Sequence, residues 1–96
     1  MRLEFHLEAF SELQASAQYY ESRRPALGTR FLNLVDDALE RIARDPYAWT
    51  LVEGDICRCL TRVFPFGIYF SLEPDFILIL AVAHLAREPG YWKSRR

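Results

Sequence analysis

Ninety-six residues, 51% hydrophobic and 26% charged, make an ordinary globular composition rather than a disordered one, and residues 1–96 are read as one domain. No run approaches the ~18 apolar residues of a spanning helix, so no membrane association is expected. Twelve basic residues stand against thirteen acidic ones, for a net charge of −1, so the lysine and arginine supply that nucleic-acid binding draws on is thin.

The opening, Met1 to His6, lacks the long uncharged core of a signal peptide, and a cytoplasmic location is expected. Within it, Arg2 to His6 alternates apolar and polar side chains, as a half-exposed strand does. From Glu8 to about Arg23, Phe10, Leu13, Ala17 and Tyr20 recur at helical spacing. Arg24-Pro25 stops that helix, because a residue before proline is pushed out of helical geometry.

The second helix, about Ala26 to Arg44, has the stronger stripe: Leu27, Phe31, Leu34, Val35, Ala38 and Ile42 fall on one face. Asp45-Pro46 ends it, and Arg41 and Arg44 complement its negative carbonyl end. A break this short between two helices predicts an antiparallel hairpin. Tyr47 to Asp55 reads as a loop, and the remainder as a three-strand meander: Ile56 to Val63, Phe66 to Leu72, and Phe76 to His84. Pro65 has no N–H for a ladder, so it belongs at a strand end.

Alternation on the first meander strand puts Arg58, Leu60 and Arg62 on one face and Cys57, Cys59, Thr61 and Val63 on the other. Arginines resist unpaired burial, so the cysteine face should meet the helices and the arginine face a partner or solvent. The cysteines lie roughly 6.5 to 7 Å apart on such a strand, a geometry that strains a disulfide, and they are read as reduced, buried thiols. His6 and His84 offer them no recognisable ligand spacing, so neither a metal nor a cofactor is expected.

Charge is uneven. Residues 8 to 55 carry nine acids against five arginines, while residues 56 to 96 carry six bases against three acids. The helical part is therefore acidic and the sheet mildly basic.

Several side chains near the C-terminus exceed what a strand needs. His84 has the intrinsic pKa for general acid–base work, but it has no evident orienting partner; it reads better as a ring hydrogen-bonded to neighbouring backbone at the exit from the sheet. Arg87 suits either an external phosphate or carboxylate, or an acid on the helical hairpin. Arg58 and Arg62 make a small basic patch, or a solvated face. Trp92, beside Tyr91, reads as a clamp pinning the tail to the body, with an interface anchor as the other possibility. Phe5, Phe10, Phe31 and Phe76 read as core, and Tyr69 and Phe70 as core and sheet-face residues.

Two motifs carry a resemblance: F-P-F-x-x-x-F over Phe64 to Phe70, and H-x-x-R-x-P-x-x-W over His84, Arg87, Pro89 and Trp92. With the strand, helix hairpin and meander around them, the chain resembles the RelE/ParE toxins, the toxin halves of bacterial, plasmid-stabilising toxin–antitoxin modules. The resemblance implies an α+β fold, β-α-α-β-β-β, with an antiparallel sheet packed on a two-helix hairpin. It also implies neutralisation by a cognate antitoxin and oligomers built through it.

The family splits by target. Its RelE-like branch cuts messenger RNA on the ribosome, with His84, Arg87 and Tyr91 the catalytic candidates here. Its ParE-like branch inhibits DNA gyrase and makes no cut. The RelE-like Y-R-x-x-Y arginine is replaced by Gly67, and the computed pI near 6.1 suits ribosomal RNA poorly. The motifs look like ParE, although Ala86 stands where many relatives have a second arginine. The resemblance thus favours a gyrase-binding toxin that is not an enzyme. Ribosome-dependent endonuclease and non-toxic antitoxin-binding relative are the alternatives. Arg58, Arg62, Arg87 and Trp92 are the residues expected to bind target or antitoxin.

Overall fold

In a computed structural model describing residues 1–96, β1 (Arg2–Phe5) leads into α1 (Leu7–Arg23) and α2 (Leu27–Arg44). Four strands follow, β2 (Thr50–Glu53), β3 (Ile56–Leu60), β4 (Phe66–Leu72) and β5 (Phe76–His84), then a 3-10 turn over Lys93–Arg95. The strands form one sheet in the order β1-β5-β4-β3-β2. It is the expected α+β architecture of a helical hairpin on a sheet, with one more strand than the sequence suggested.

Local chemistry sets the helix ends. The Glu8 N–H donates to His6 Nδ1 at 3.1 Å, capping the start of α1. At the hairpin turn, Glu21 accepts from the N–H groups of Ala26 and Gly28, both at 3.0 Å. One carboxylate from the end of α1 thereby satisfies orphan donors at the positive start of α2. Gly28 is required there, because a Cβ would lie 2.5 Å from the carbonyl oxygen of Ala17.

Phe31, Val35, Ala38 and Ile42 of the α2 stripe are buried against Cys57, Cys59, Ile68, Phe70, Ile77, Ile79 and Val82 of the sheet. Each large side chain removed from water contributes about 1.5–3 kcal/mol. The cysteine face of β3 does meet the helices, with both thiols free and buried. On α1, by contrast, Ala9 is fully buried while Phe10 is 45% exposed and packs edge-on against Phe5. Phe10 is therefore not core, and Phe5 and Phe76 are only half-buried.

Three local expectations need correction. Thr50–Glu53, read as loop, is an edge strand antiparallel to β3. It is four residues long and exposed throughout, so it shows no apolar alternation. The β2-β3-β4-β5 pairings are antiparallel, but β1 joins β5 in parallel, Arg2 opposite Phe76 to Phe5 opposite Ile79. Alternation along β1 reports its faces and not its neighbour.

The third concerns β3, which stops at Leu60 rather than Val63. Val63 has φ 70°, and the Phe64 N–H donates back to the Arg62 carbonyl at 2.8 Å, a strained γ-turn. It swings Phe64 onto the helices, where Tyr20 and Phe31 lie 4.7 and 5.2 Å away, centroid to centroid. Phe66 meets Phe31 at 4.8 Å. The two rings around Pro65 thus pack into one aromatic cluster with the hairpin.

Candidate functional site

The turn after β3 separates the two arginines expected to share a face. Arg62 follows the chain toward the helices and pairs with Asp37 of α2 at 3.1 Å. Arg58 stays on the face of the sheet away from the helices, with Ile56, Tyr69, Ala81 and Ala83. Alternation does not align the two arginines, because the strand that would carry both ends between them.

On that outer face lies the chain after β5. Trp92 is 3% exposed and stacks on Tyr69, with centroids 4.7 Å apart and planes 29° from parallel. Gly90, at φ 86°, makes the turn that delivers it. Lys93 pairs with Glu53 at 2.9 Å, and Arg96 with Asp55 and Glu73. Hydrogen bonding to Arg96 holds the Asp55 carboxyl below its usual range. The tryptophan is a clamp, as its position suggested.

The edge of β5 anchors the same tail. Tyr69 faces Ala81 while Phe70 faces Ile79, so Leu80 is a bulge residue without a partner on β4. Pairing with β1 reaches only to Ile79 on the other side. Beyond that, Glu12 of α1 and Arg95 of the tail replace a neighbouring strand. Glu12 accepts from the Val82 N–H at 3.1 Å, and Arg95 donates to the Leu80 carbonyl at 3.0 Å.

Glu12 also gathers the tail's donors. Arg95 grips both its oxygens, at 2.9 and 3.0 Å, Tyr91 Oη donates at 2.7 Å, and Arg87 at 3.3 Å. The Arg87 guanidinium lies 3.6 Å over the Tyr91 ring. Burial, then the hydrogen bond and charge of Glu12, push the Tyr91 hydroxyl well above its ordinary pKa. Its own hydrogen bonds to Glu12 raise Arg95. Tyr91 therefore keeps its proton to higher pH than an exposed tyrosine does.

His84 is exposed, and its Nδ1 accepts from the Ala86 N–H at 3.0 Å. In the neutral ring the proton is therefore on Nε2. The ring packs edge-on against Phe66 at 5.3 Å and, with Arg87, lines a shallow cleft of about 200 Å³ beside Glu12 and Ser16. No acid is hydrogen-bonded to it, and its bond to the backbone lies where the chain leaves the sheet.

A larger cleft of about 520 Å³ lies on the outer face between Arg58, Tyr69, Trp92 and Lys93. Gly67 lies beneath two of its lining side chains: a Cβ there would sit 3.0 Å from Tyr69 Cε1 and 3.2 Å from Arg58 Cδ. The missing side chain at Gly67 lets Arg58 cross the sheet. A cation reaches this surface from β3, although β4 does not supply it.

Glu12 and Arg95 were not singled out from the sequence, nor was Tyr69 as the ring beneath Trp92. Glu12 lies off the apolar stripe of α1, and no spacing links it to Arg95. The aromatic content of β4 was the available signal for Tyr69. No three His, Cys, Asp or Glu side chains converge as metal ligands would, and no helix is long and apolar enough to cross a membrane.

The family model for the ParE toxin of type II toxin-antitoxin system, parDE, matches residues 3–89. Among solved structures, one described as a chromosomal ParDE TA system from P. aeruginosa is similar with a TM-score of 0.65. It is 18% identical, and the match covers 88% of this chain and 95% of that one. At that identity the likeness is one of fold. No curated protein sequence matches.

Proposed function

The chain belongs to the ParE toxin family of type II toxin–antitoxin systems, and from that premise we propose that it is a cytoplasmic toxin that inhibits DNA gyrase by binding it, with a cognate antitoxin as its neutraliser. The observation that carries the binding reading is that two of the three candidate catalytic groups, Tyr91 and Arg87, are drawn into holding the tail. His84 accepts from its own chain, Tyr91 donates to Glu12, and Arg87 is drawn onto Tyr91 and Glu12. General acid–base chemistry needs a donor or acceptor free to meet a substrate proton, and this constellation offers a raised phenol and a histidine with no acid behind it.

Binding needs a fixed surface instead, and the clamp supplies one. Trp92 on Tyr69, together with the ion pairs at both ends of the tail, makes residues 84–96 a firm part of the sheet. Rigid aromatic and arginine side chains concentrate binding energy in interfaces. On the sheet side, Arg58 and the half-exposed Arg87 are cations available to an acidic partner.

The test measures two activities of one preparation. DNA supercoiling by gyrase should stop at a stoichiometric amount of the protein, and antitoxin should restore it. Primer extension on translated message should show no new ends. Codon-spaced cleavage with untouched supercoiling would reject the proposal in favour of a ribosome-dependent endonuclease.

A further inference from the structure

Val63 joins three properties that conflict in a fold. It is β-branched, it holds φ at 70°, and 71% of it is exposed. A branched residue at positive φ is a conformational outlier, and it persists only where its surroundings over-determine it. Here they do. The Thr61 N–H donates to the Phe66 carbonyl at 3.0 Å and the Thr61 hydroxyl to the Phe64 carbonyl at 2.8 Å, which closes the turn around Val63. Positive φ is needed there to swing Phe64 inward, but glycine would supply it without strain. The valine side chain belongs to neither hydrophobic cluster, so the fold gains little from it.

A second turn is stitched to this one. The Leu85 N–H donates to the Pro65 carbonyl at 2.9 Å, which ties the chain leaving β5 to the turn before β4. Pro65 is exposed and Leu85 is 45% exposed, so three apolar side chains share one end of the sheet. Arg62 and Arg87 stand beside them in the chain, 63% and 54% exposed. Each commits one nitrogen to an internal carboxylate, Asp37 or Glu12, and the other donors of each fork make no bond within the protein.

The shape of this tip selects its partner. No cleft is lined by Val63, Pro65 or Leu85, so the tip projects. Extended and helical segments are received by sheet edges and grooves, whereas a rigid projection fits a concavity already present in a folded protein. An apolar centre with a charged rim is the make-up of such an interface. We propose that the tip formed by Val63, Pro65 and Leu85 is the anchor with which the toxin enters a preformed, acid-rimmed apolar pocket of gyrase; this rests on the gyrase reading above. The strain at Val63 is kept because its side chain is used in the complex and not in the fold.

Val63→Gly separates the two uses, since it relieves the strain and removes the side chain together. The variant should melt no lower than the parent and bind the antitoxin equally well. It should need about 10-fold more protein to stop supercoiling, as expected for an apolar side chain buried only in the complex. Leu85→Ser, at an ordinary φ, should show the same loss with little change in melting. Full inhibition by both variants overturns the tip while the gyrase reading stands, and a parent protein that leaves supercoiling untouched overturns both. Val63→Gly melting well below the parent would give the side chain to the fold and overturn the proposal. So would a loss of antitoxin binding with inhibition kept, or a parent dimer that Val63→Gly dissociates without loss of inhibition, because the tip would then belong to the antitoxin or to a second copy.

Discussion

Arg95 closes a two-pronged ion pair on Glu12, Nη1 to Oε1 at 2.9 Å and Nη2 to Oε2 at 3.0 Å, and so ties the tail to the middle of α1. Both side chains are nearly covered, at 9% and 13% accessibility. Because each also bonds the open edge of β5, the pair completes the sheet where β1 ends.

Glu12→Gln keeps the shape of the hub and removes its charge. Arg95 would then keep only the exposed Glu8, 3.5 Å from its Nε, and removing the covered partner of such a pair costs roughly 3 kcal/mol. Urea unfolding should show that loss. Adding Arg95→Met should recover part of it, because the stranded charge is gone; strict additivity of the two substitutions would mean that the residues are not coupled.

Alkaline pH should weaken the fold through groups whose pKa rises on folding. Tyr91 is raised from 10.0 by burial and Glu12, and Cys57 and Cys59 are raised from 9.0 chiefly by burial. Their contribution is complete below the unfolded values and declines once the unfolded chain releases protons that the folded chain retains. Stability should therefore fall above about pH 9 and faster above about pH 10. Tyr91→Phe should flatten the second part, at a cost of about 1 kcal/mol at pH 7 for the lost hydrogen bond. An unchanged slope in Tyr91→Phe would remove Tyr91 from the account.

Trp92→Ala should lower stability by about 3–5 kcal/mol, the range for emptying a large buried aromatic site. The near-ultraviolet dichroism from its stack on Tyr69 should vanish with it. A melting temperature equal to the parent's would mean that the tail adds nothing to the fold.

His84→Gln should leave gyrase inhibition largely intact, because an amide oxygen can replace Nδ1 as acceptor for the Ala86 N–H. Arg87→Ala should weaken inhibition several-fold more, since it removes a half-exposed cation from the surface. A loss of about 10² or more in activity for His84→Gln, with folding intact, would point to proton transfer.

Much of the fold was legible in local pattern. The α2 stripe named Phe31, Val35, Ala38 and Ile42 correctly, and the alternation of β3 sent Cys57 and Cys59 inward. Trp92 was readable as a clamp because so large an apolar surface near a polar tail has few other uses. Pattern failed at Thr50–Glu53, where both sides of a short strand face water, and at Arg62, where one strained turn ended the alternation.

Periodicity reports which side of an element leaves water, since burial acts on each helix or strand through its own repeat, and the sequence alone therefore determined the hairpin, the meander and the anchored tail. It carries no record of which distant element arrives at that side. The parallel place of β1, the meeting of Glu12 with Arg95, and the approach of Arg58 across Gly67 were decided only when packing brought separate segments within hydrogen-bond or van der Waals reach.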